Sequence, residues 1–352
     1  MGSTYHRRFH LPHRLFAARA PLIAALLGAA LWWACPATAD ELVVTGGGYG
    51  HGVGMSQEGA MGFAQRGASY QAILAHYYLG TGIGQVSAGV RVKVLVGNKV
   101  RQLPLETYVR GVVAAEMPAS WPASALEAQA VASRTYALTA HAGGSRFDVY
   151  ADTRSQVYRG VAAQTPQTDA AVAATAGQVV TYAGRLAITY FFADSGGRTE
   201  NVENGFPGSA PAPWLRGVVD PYDRGPLHAW HTTMSFATAS ARLGKLVRGR
   251  FRGIEVLRRG FSPRIVAAFV VGSGGRTLVN GPQLSARLGL PDSWAYFTTR
   301  AATGVTPQRD RSGWAPTGTT EAPQPAPAPV SSNGAASAPA AQGAGGGTTG
   351  PA

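Results

Sequence analysis

The sequence predicts an α+β fold, a single domain of mixed helices and antiparallel hairpins, on three observations. Two helical runs follow one another directly, Leu105–Glu116 and Pro122–Leu138. Val90–Val96 alternates with period two, placing Val90, Val92, Val94 and Val96 on one side and Arg91, Lys93 and Leu95 on the other. Later segments pair locally around tight turns, without repeated βαβ units.

Taken in order, Ser69 caps a predicted helix over Tyr70–Leu79 that Gly80 closes. In the run from Leu105, the residues Leu105, Val109, Val112 and Glu116 fall at steps of four, three and four and share one face. Met117-Pro118 disfavours further helix, so Glu116 belongs to the last turn. The next helix is predicted to open at Ser120 and Pro122 and to pack closely through Ala125, Ala128 and Ala132. Gln178–Tyr182 and Leu186–Phe192 read as paired strands around Ala183-Gly184-Arg185, and Arg264–Val271 with Thr277–Asn280 as another hairpin. Gln283–Leu288 reads as a last helix stopped by Gly289.

Composition bounds the surroundings. The chain carries a formal net charge of +13, and without residues 1–39, which hold four arginines and no acid, 27 basic residues still face 18 acidic ones. Such a protein is drawn to anionic polymers or membrane surfaces. No Lys/Arg run interleaved with aromatics marks a nucleic-acid face. Residues 1–39 read as an export signal: arginines up to Arg19, an apolar run Pro21–Ala34, then Ala37-Thr38-Ala39 as a cleavage site. An uncleaved anchor is the alternative, and it is the one route to a membrane. The single cysteine, Cys35, precedes the cut, so the mature chain has no disulfide and no thiolate ligand. Residues 302–352 are rich in Pro, Ala, Gly, Ser and Thr and read as a disordered tail, leaving 40–301 as the domain.

Two stretches point to chemistry. Glu116 ends an oily stripe at the negative end of a helix dipole, and both conditions disfavour its ionised form. A carboxyl kept protonated near neutral pH is what a general acid needs. The glycine-dense Gly46–Ala60 lacks the strand–helix context and distant acid of a dinucleotide site. Its glycines instead permit backbone angles that aim His51 and Gln57 inward. The Arg134 guanidinium can hold a carboxylate or sugar oxygens bidentately, with a salt bridge to Glu127 or Asp152 as its competing use. His228 and His231 stand three apart, short of a zinc ligand set. The SGGRT pentapeptide occurs at Ser195–Thr199 and again at Ser273–Thr277, where it reads as a plain tight turn.

Together LPLETYVRGVVAAEMPASWPASALEAQAVASRTYAL, DTRSQVYRG, FFADSGGRTEN, PWLRGVVDPYD and GYGHGVGMSQEGA resemble the stage II sporulation protein D family, which includes amidase-enhancer proteins. In the familiar order the GHGVGMSQ block comes near the carboxyl end. Here it opens the mature chain, an arrangement tolerated where termini lie close together. The resemblance implies a glycan-binding catalytic domain. Its activity would be that of a lytic transglycosylase that cleaves peptidoglycan between N-acetylmuramic acid and N-acetylglucosamine, on strands stripped of stem peptides, with Glu116 as the catalytic glutamate. Arg134, Gln156 and Ser195 match motif positions of the family's glycan cleft. Tyr158, Thr199, His51 and Gln57 join them by proximity to those motifs. Some relatives carry a cysteine-ligated zinc, which this chain cannot build, so no metal or cofactor is expected. The expected partner is peptidoglycan, in the extracytoplasmic cell envelope. The alternative function is a non-catalytic, glycan-binding enhancer of a cell-wall amidase.

Overall fold

The longest helix among the described residues is rich in alanine and mostly buried. A computed structural model describes residues 40–300, with eight α-helices. They are α1 (Gln57–Ala64), α2 (Tyr70–Tyr77), α3 (Leu105–Glu116), α4 (Ala123–Thr139), α5 (Pro166–Ala174), α6 (Val202–Gly205), α7 (Phe236–Leu243) and α8 (Gly281–Leu288). In α4 twelve residues are buried, from Ala125 to Ala137, and five of them are alanine. Short side chains let α1, α2, α3 and α5 all approach it, so α4 forms the axis of the first core. The helix starts at Pro122 with no side-chain cap, so Ser120 is not the cap that its position predicts. Pro122 supplies instead a carbonyl that accepts the Ala125 and Leu126 N–H groups.

A second core lies between two antiparallel three-stranded sheets and α7 and α8. In one sheet Glu41–Gly46 runs between Trp230–Ser235 and Ala295–Arg300. Leu42 and Val44 point into the core from this central strand. Glu41 is paired with Arg300 in the ladder, and their side chains form an ion pair of 2.8 Å. The two ends of the described chain are therefore strand neighbours, the condition that a permuted block order requires. The other sheet holds Phe251–Arg259, Ile265–Gly272 and Gly275–Val279. Its last two strands are the hairpin expected from the sequence, and Ser273-Gly274, in the second SGGRT copy, is a plain turn between them.

The expected α+β class holds, with helices and small sheets contributing to both cores. One expected strand does not: Leu186–Phe192 is not continuous. Arg185–Leu186 pairs with Gln178–Tyr182, but Phe191–Phe192 pairs in parallel with Met55–Ser56. Between them the backbone is drawn into other bonds. The Ile188 carbonyl accepts from the Trp214 indole, and the Tyr190 carbonyl accepts from the Met55 N–H and the Tyr78 hydroxyl. The export signal with Cys35 and the Pro/Ala tail lie outside the described residues. Among the described residues no helix is long and apolar enough to cross a membrane.

Candidate active site

Glu116 closes α3, after Leu105, Val109 and Val112 have been buried on the same face. The stripe phase therefore brings the acid to the edge of the first core, where it is only partly covered. Its Oε1 accepts the Val157 N–H at 2.6 Å, and its Oε2 faces the Gln57 Nε2 at 3.3 Å. Burial raises its pKa above the ordinary carboxylate value, opposed by the Val157 N–H, the Gln57 amide and the Arg159 charge. The direction is the one expected from the helix pattern, although burial rather than the helix dipole is the leading cause.

Gln57 arrives from a distant part of the chain. Between Gly46 and Met55 every second residue is a glycine with positive φ: Gly48, Gly50, Gly52 and Gly54. At Gly54 a Cβ would stand 2.0 Å from the Tyr190 carbonyl oxygen, so only glycine fits. The segment then turns into α1, capped by Ser56, whose Oγ accepts the Gly59 N–H. Gln57 lies in the first turn of that helix. Its Nε2 also faces the Glu116 carbonyl and Gln129 Oε1, each at 3.4 Å. Three acceptors for two hydrogens make each bond weak.

Beneath the acid lies a buried amide network. Gln129 donates to Ser133 Oγ, and Gln156 donates to the Ser133 carbonyl. Gln156 is therefore buried under the loop that presents the Val157 N–H. It neighbours the peptide N–H that holds Glu116 Oε1. Tyr158 stacks on Tyr108 at 5.1 Å and packs over Gly111 of α3. Gln129, Val157 and Arg159 were not singled out from the sequence. Arg159 sits within DTRSQVYRG, but the backbone contact of Val157 leaves no side-chain signature.

The other expected site residues are placed elsewhere. Arg134 is fully buried and grips Glu106 bidentately, with Nε to Oε1 at 2.8 Å and Nη2 to Oε2 at 2.7 Å. It also donates to the Gln178 carbonyl at 2.9 Å. Glu106 begins the helix that Glu116 ends, about 15 Å away at 1.5 Å per residue, so Arg134 does not reach the acid. Neither Glu127 nor Asp152 is its partner, and Asp152 pairs with Arg154. Ser195 is buried, with its N–H and Oγ both donating to Asp223 Oδ2 at 2.7 and 2.9 Å. Thr199 is buried, its Oγ1 accepting the Val218 N–H. Both fix the loop after Phe192, and their bonds run to Asp223, Gly197 and Val218 rather than to Glu116.

His51 is packed among Tyr190, Phe192 and Phe206, with Nδ1 accepting the Val53 N–H. Burial first, and then the Arg264 charge, lower its pKa to about 3. The ring is a neutral, partly buried packing element. Its folded pKa lies below the unfolded value, so stability is present above about pH 6.5 and declines as the pH falls from there toward 3. The expected slope is about 1 kcal/mol per pH unit. Urea melts from pH 7 to 4.5 should show that slope reduced in His51→Phe; an equal slope in both proteins would contradict it.

Residues 96–182 match the model of the stage II sporulation protein family. The match contains Glu116, Arg134, Gln156 and Tyr158 and leaves out Gly48–Gln57 and the Ser195 loop. The resemblance to stage II sporulation protein D holds. Stage II sporulation protein D of Bacillus subtilis is 34% identical over 171 residues, which are 43% of this chain and 49% of that protein. An uncharacterized protein of Brachyspira hyodysenteriae is 39% identical over 140 residues, 39% of this chain and 38% of its own length. The amidase enhancer of Bacillus subtilis is 37% identical over 127 residues, 36% of this chain and 17% of the enhancer. The chain thus spans about half or less of these relatives. The matched segment holds α3, α4 and α5, the middle of a first core that also takes residues from Val53 to Val94 and from Ala187 to Leu215.

Proposed function

We propose that this protein is an extracytoplasmic peptidoglycan lytic transglycosylase, with Glu116 acting first as acid and then as base. The related stage II sporulation proteins and the amidase enhancer support a cell-wall role. The observation that carries the finer reading is the state of Glu116: a partly covered carboxyl whose burial favours the protonated form, with one oxygen tied down and the other weakly held. Oε1, fixed by the Val157 N–H, is the acceptor. Oε2 is the oxygen left to carry and deliver a proton.

In the reaction, Glu116 protonates the oxygen linking N-acetylmuramic acid to N-acetylglucosamine, and the bond from that oxygen to the muramic C1 breaks. The 6-hydroxyl of the same muramic acid attacks C1 and closes a 1,6-anhydro ring. The Glu116 carboxylate takes the hydroxyl proton and is restored. Ordinary glycoside hydrolysis sets two carboxylates around a water. An internal nucleophile needs neither the water nor the second acid, and the Val157 N–H stabilises the carboxylate between the two proton transfers.

Incubating the protein with peptide-stripped glycan strands should release 1,6-anhydro-muramyl ends, seen by mass spectrometry. Their absence would favour the second reading, a glycan-binding enhancer, which the amidase-enhancer relative supports. Because the protonated acid starts the reaction, cleavage should fall as the pH rises through the raised Glu116 pKa. Arg159 lowers that pKa, so Arg159→Ala should move the alkaline limb to higher pH; a limb unmoved or moved lower would count against Glu116 as the acid.

A further inference from the structure

A second group of ionisable side chains sits away from Glu116. Ligand atoms of Asp194, Asp223 and His228 all lie within 4.8 Å of one another. Both aspartates are buried, and the His228 side chain, 35% exposed, forms the way in. His228 Nδ1 approaches Asp223 Oδ1 at 3.2 Å. The neighbouring His231, which the sequence pairs with it, instead lies on an exposed position of the Trp230–Ser235 strand.

An independent observation points to something missing there. Asp220 is fully buried, and neither of its carboxyl oxygens makes a hydrogen bond of ordinary geometry. It faces the Ser195 and Tyr77 hydroxyls, the like charge of Asp223 and the more distant Arg224 cation. Among the described residues no Lys or Arg side chain forms an ion pair with Asp194, Asp220 or Asp223; the nearby Arg264 is paired with Asp292 at 2.6 Å. The Arg224 guanidinium donates to the Asp223 carbonyl and not to a carboxylate, and burying three carboxyl groups with no paired Lys or Arg is costly.

The surroundings hold these carboxyls as metal ligands are held. Asp194 Oδ1 accepts the Gly196 N–H, and its Oδ2 accepts the Leu227 N–H. Asp223 Oδ2 takes Ser56 Oγ, Ser195 N–H and Ser195 Oγ, which leaves Oδ1 turned toward His228. Such outer bonds orient first ligands and tune their basicity. Gly225 lets the backbone close on Asp194, where an added Cβ would stand 2.3 Å from Oδ2.

We propose that Asp194, Asp223 and His228 bind one divalent first-row cation, Zn²⁺ or Mn²⁺, with Asp220 as the adjoining buried anion. Two carboxylates and one imidazole suit those ions better than Ca²⁺, which prefers six to eight oxygens. The ion would secure the segment that delivers Gln57 to Glu116, because Ser56 is bonded to Asp223.

The test uses the full chain, stripped with chelator and titrated with Zn²⁺ and with Mn²⁺ by calorimetry, with Ca²⁺ as the comparison and thermal melts in parallel. Expected is one equivalent of Zn²⁺ or Mn²⁺ that is absent from His228→Ala and weakened at least tenfold in Asp223→Asn, with a rise in melting temperature only where that equivalent binds. His228→Ala alters a partly exposed side chain and keeps the comparison valid if Asp223→Asn fails to fold. No binding by the parent chain, or an unchanged equivalent in His228→Ala, would overturn the site and leave a hydrogen-bonded acid cluster. Neither result depends on glycan cleavage, so this site and the proposed activity fail separately.

Discussion

Replacing Glu116 by glutamine is expected to lower the release of anhydro-muramyl ends by about 10²–10⁴-fold, the usual contribution of one general acid–base group. The substitution keeps the shape. Gln Oε1 still accepts the Val157 N–H, so the loop through Gln156 and Val157 stays in place. What is lost is the titrating proton on the second oxygen, the one that Gln57 holds only at 3.3 Å. Because burial already favours the neutral carboxyl, a neutral amide should change stability by less than about 1 kcal/mol. Mass spectrometry of digested strands, with a glycan-pelleting assay beside it, separates the readings. Lost cleavage with retained binding supports an acid; retained cleavage sends the chemistry to another group. Gln57→Ala should be milder, since it removes a shared and weakly bonded amide while Val157 still holds Oε1.

The α3 helix was legible to the residue, because a stripe of Leu105, Val109 and Val112 meets a proline stop. The α8 helix and its hairpin were nearly as clear, with Gly289 in the left-handed conformation at the end. The α1 helix was hidden. Its sequence QEGAMGFA contains two glycines, which weigh against helix by about 1 kcal/mol each. Both are demanded by packing: a Cβ at Gly59 would strike the Tyr77 hydroxyl at 2.1 Å, and one at Gly62 the Tyr222 carbonyl oxygen at 2.1 Å. Tertiary contact thus overrides propensity where the chain must come closest. The site followed the same rule. Glu116 announces itself through periodicity. Its partners, a backbone N–H from residue 157 and an amide from residue 57, are joined to it only by the fold. Arg134 misled for a related reason. Spacing cannot tell a guanidinium that reads a ligand from one that ties helices together, and here the carboxylate it grips belongs to Glu106 of the same protein.

That misreading leads to the largest stability effect expected of any single change. Glu106→Gln should destabilise the protein by about 2–4 kcal/mol, the cost of leaving a buried guanidinium without its counter-charge, reduced because Glu106 itself is 30% exposed. Arg134 has no water to turn to. Its remaining bonds run to the carbonyls of Ala130, Val172 and Gln178, which belong to α4, α5 and the strand beside them. Glu106 Oε1 also accepts the Gly177 N–H, a bond that the Gln oxygen can keep. One ion pair therefore joins three helices and a strand at the end of α3 opposite Glu116. Arg134→Met should be less damaging, because it removes the buried charge and leaves an apolar chain of similar length in its place. The order matters more than either value: Glu106→Gln worse than Arg134→Met in urea melts identifies an orphaned charge. In either variant, molecules that remain folded should keep the alkaline limb of the cleavage profile where it was. A limb that moves would return Arg134 to the catalytic neighbourhood, and an unmoved limb with lowered stability fixes it as the clamp that holds α3 in register beneath its acid.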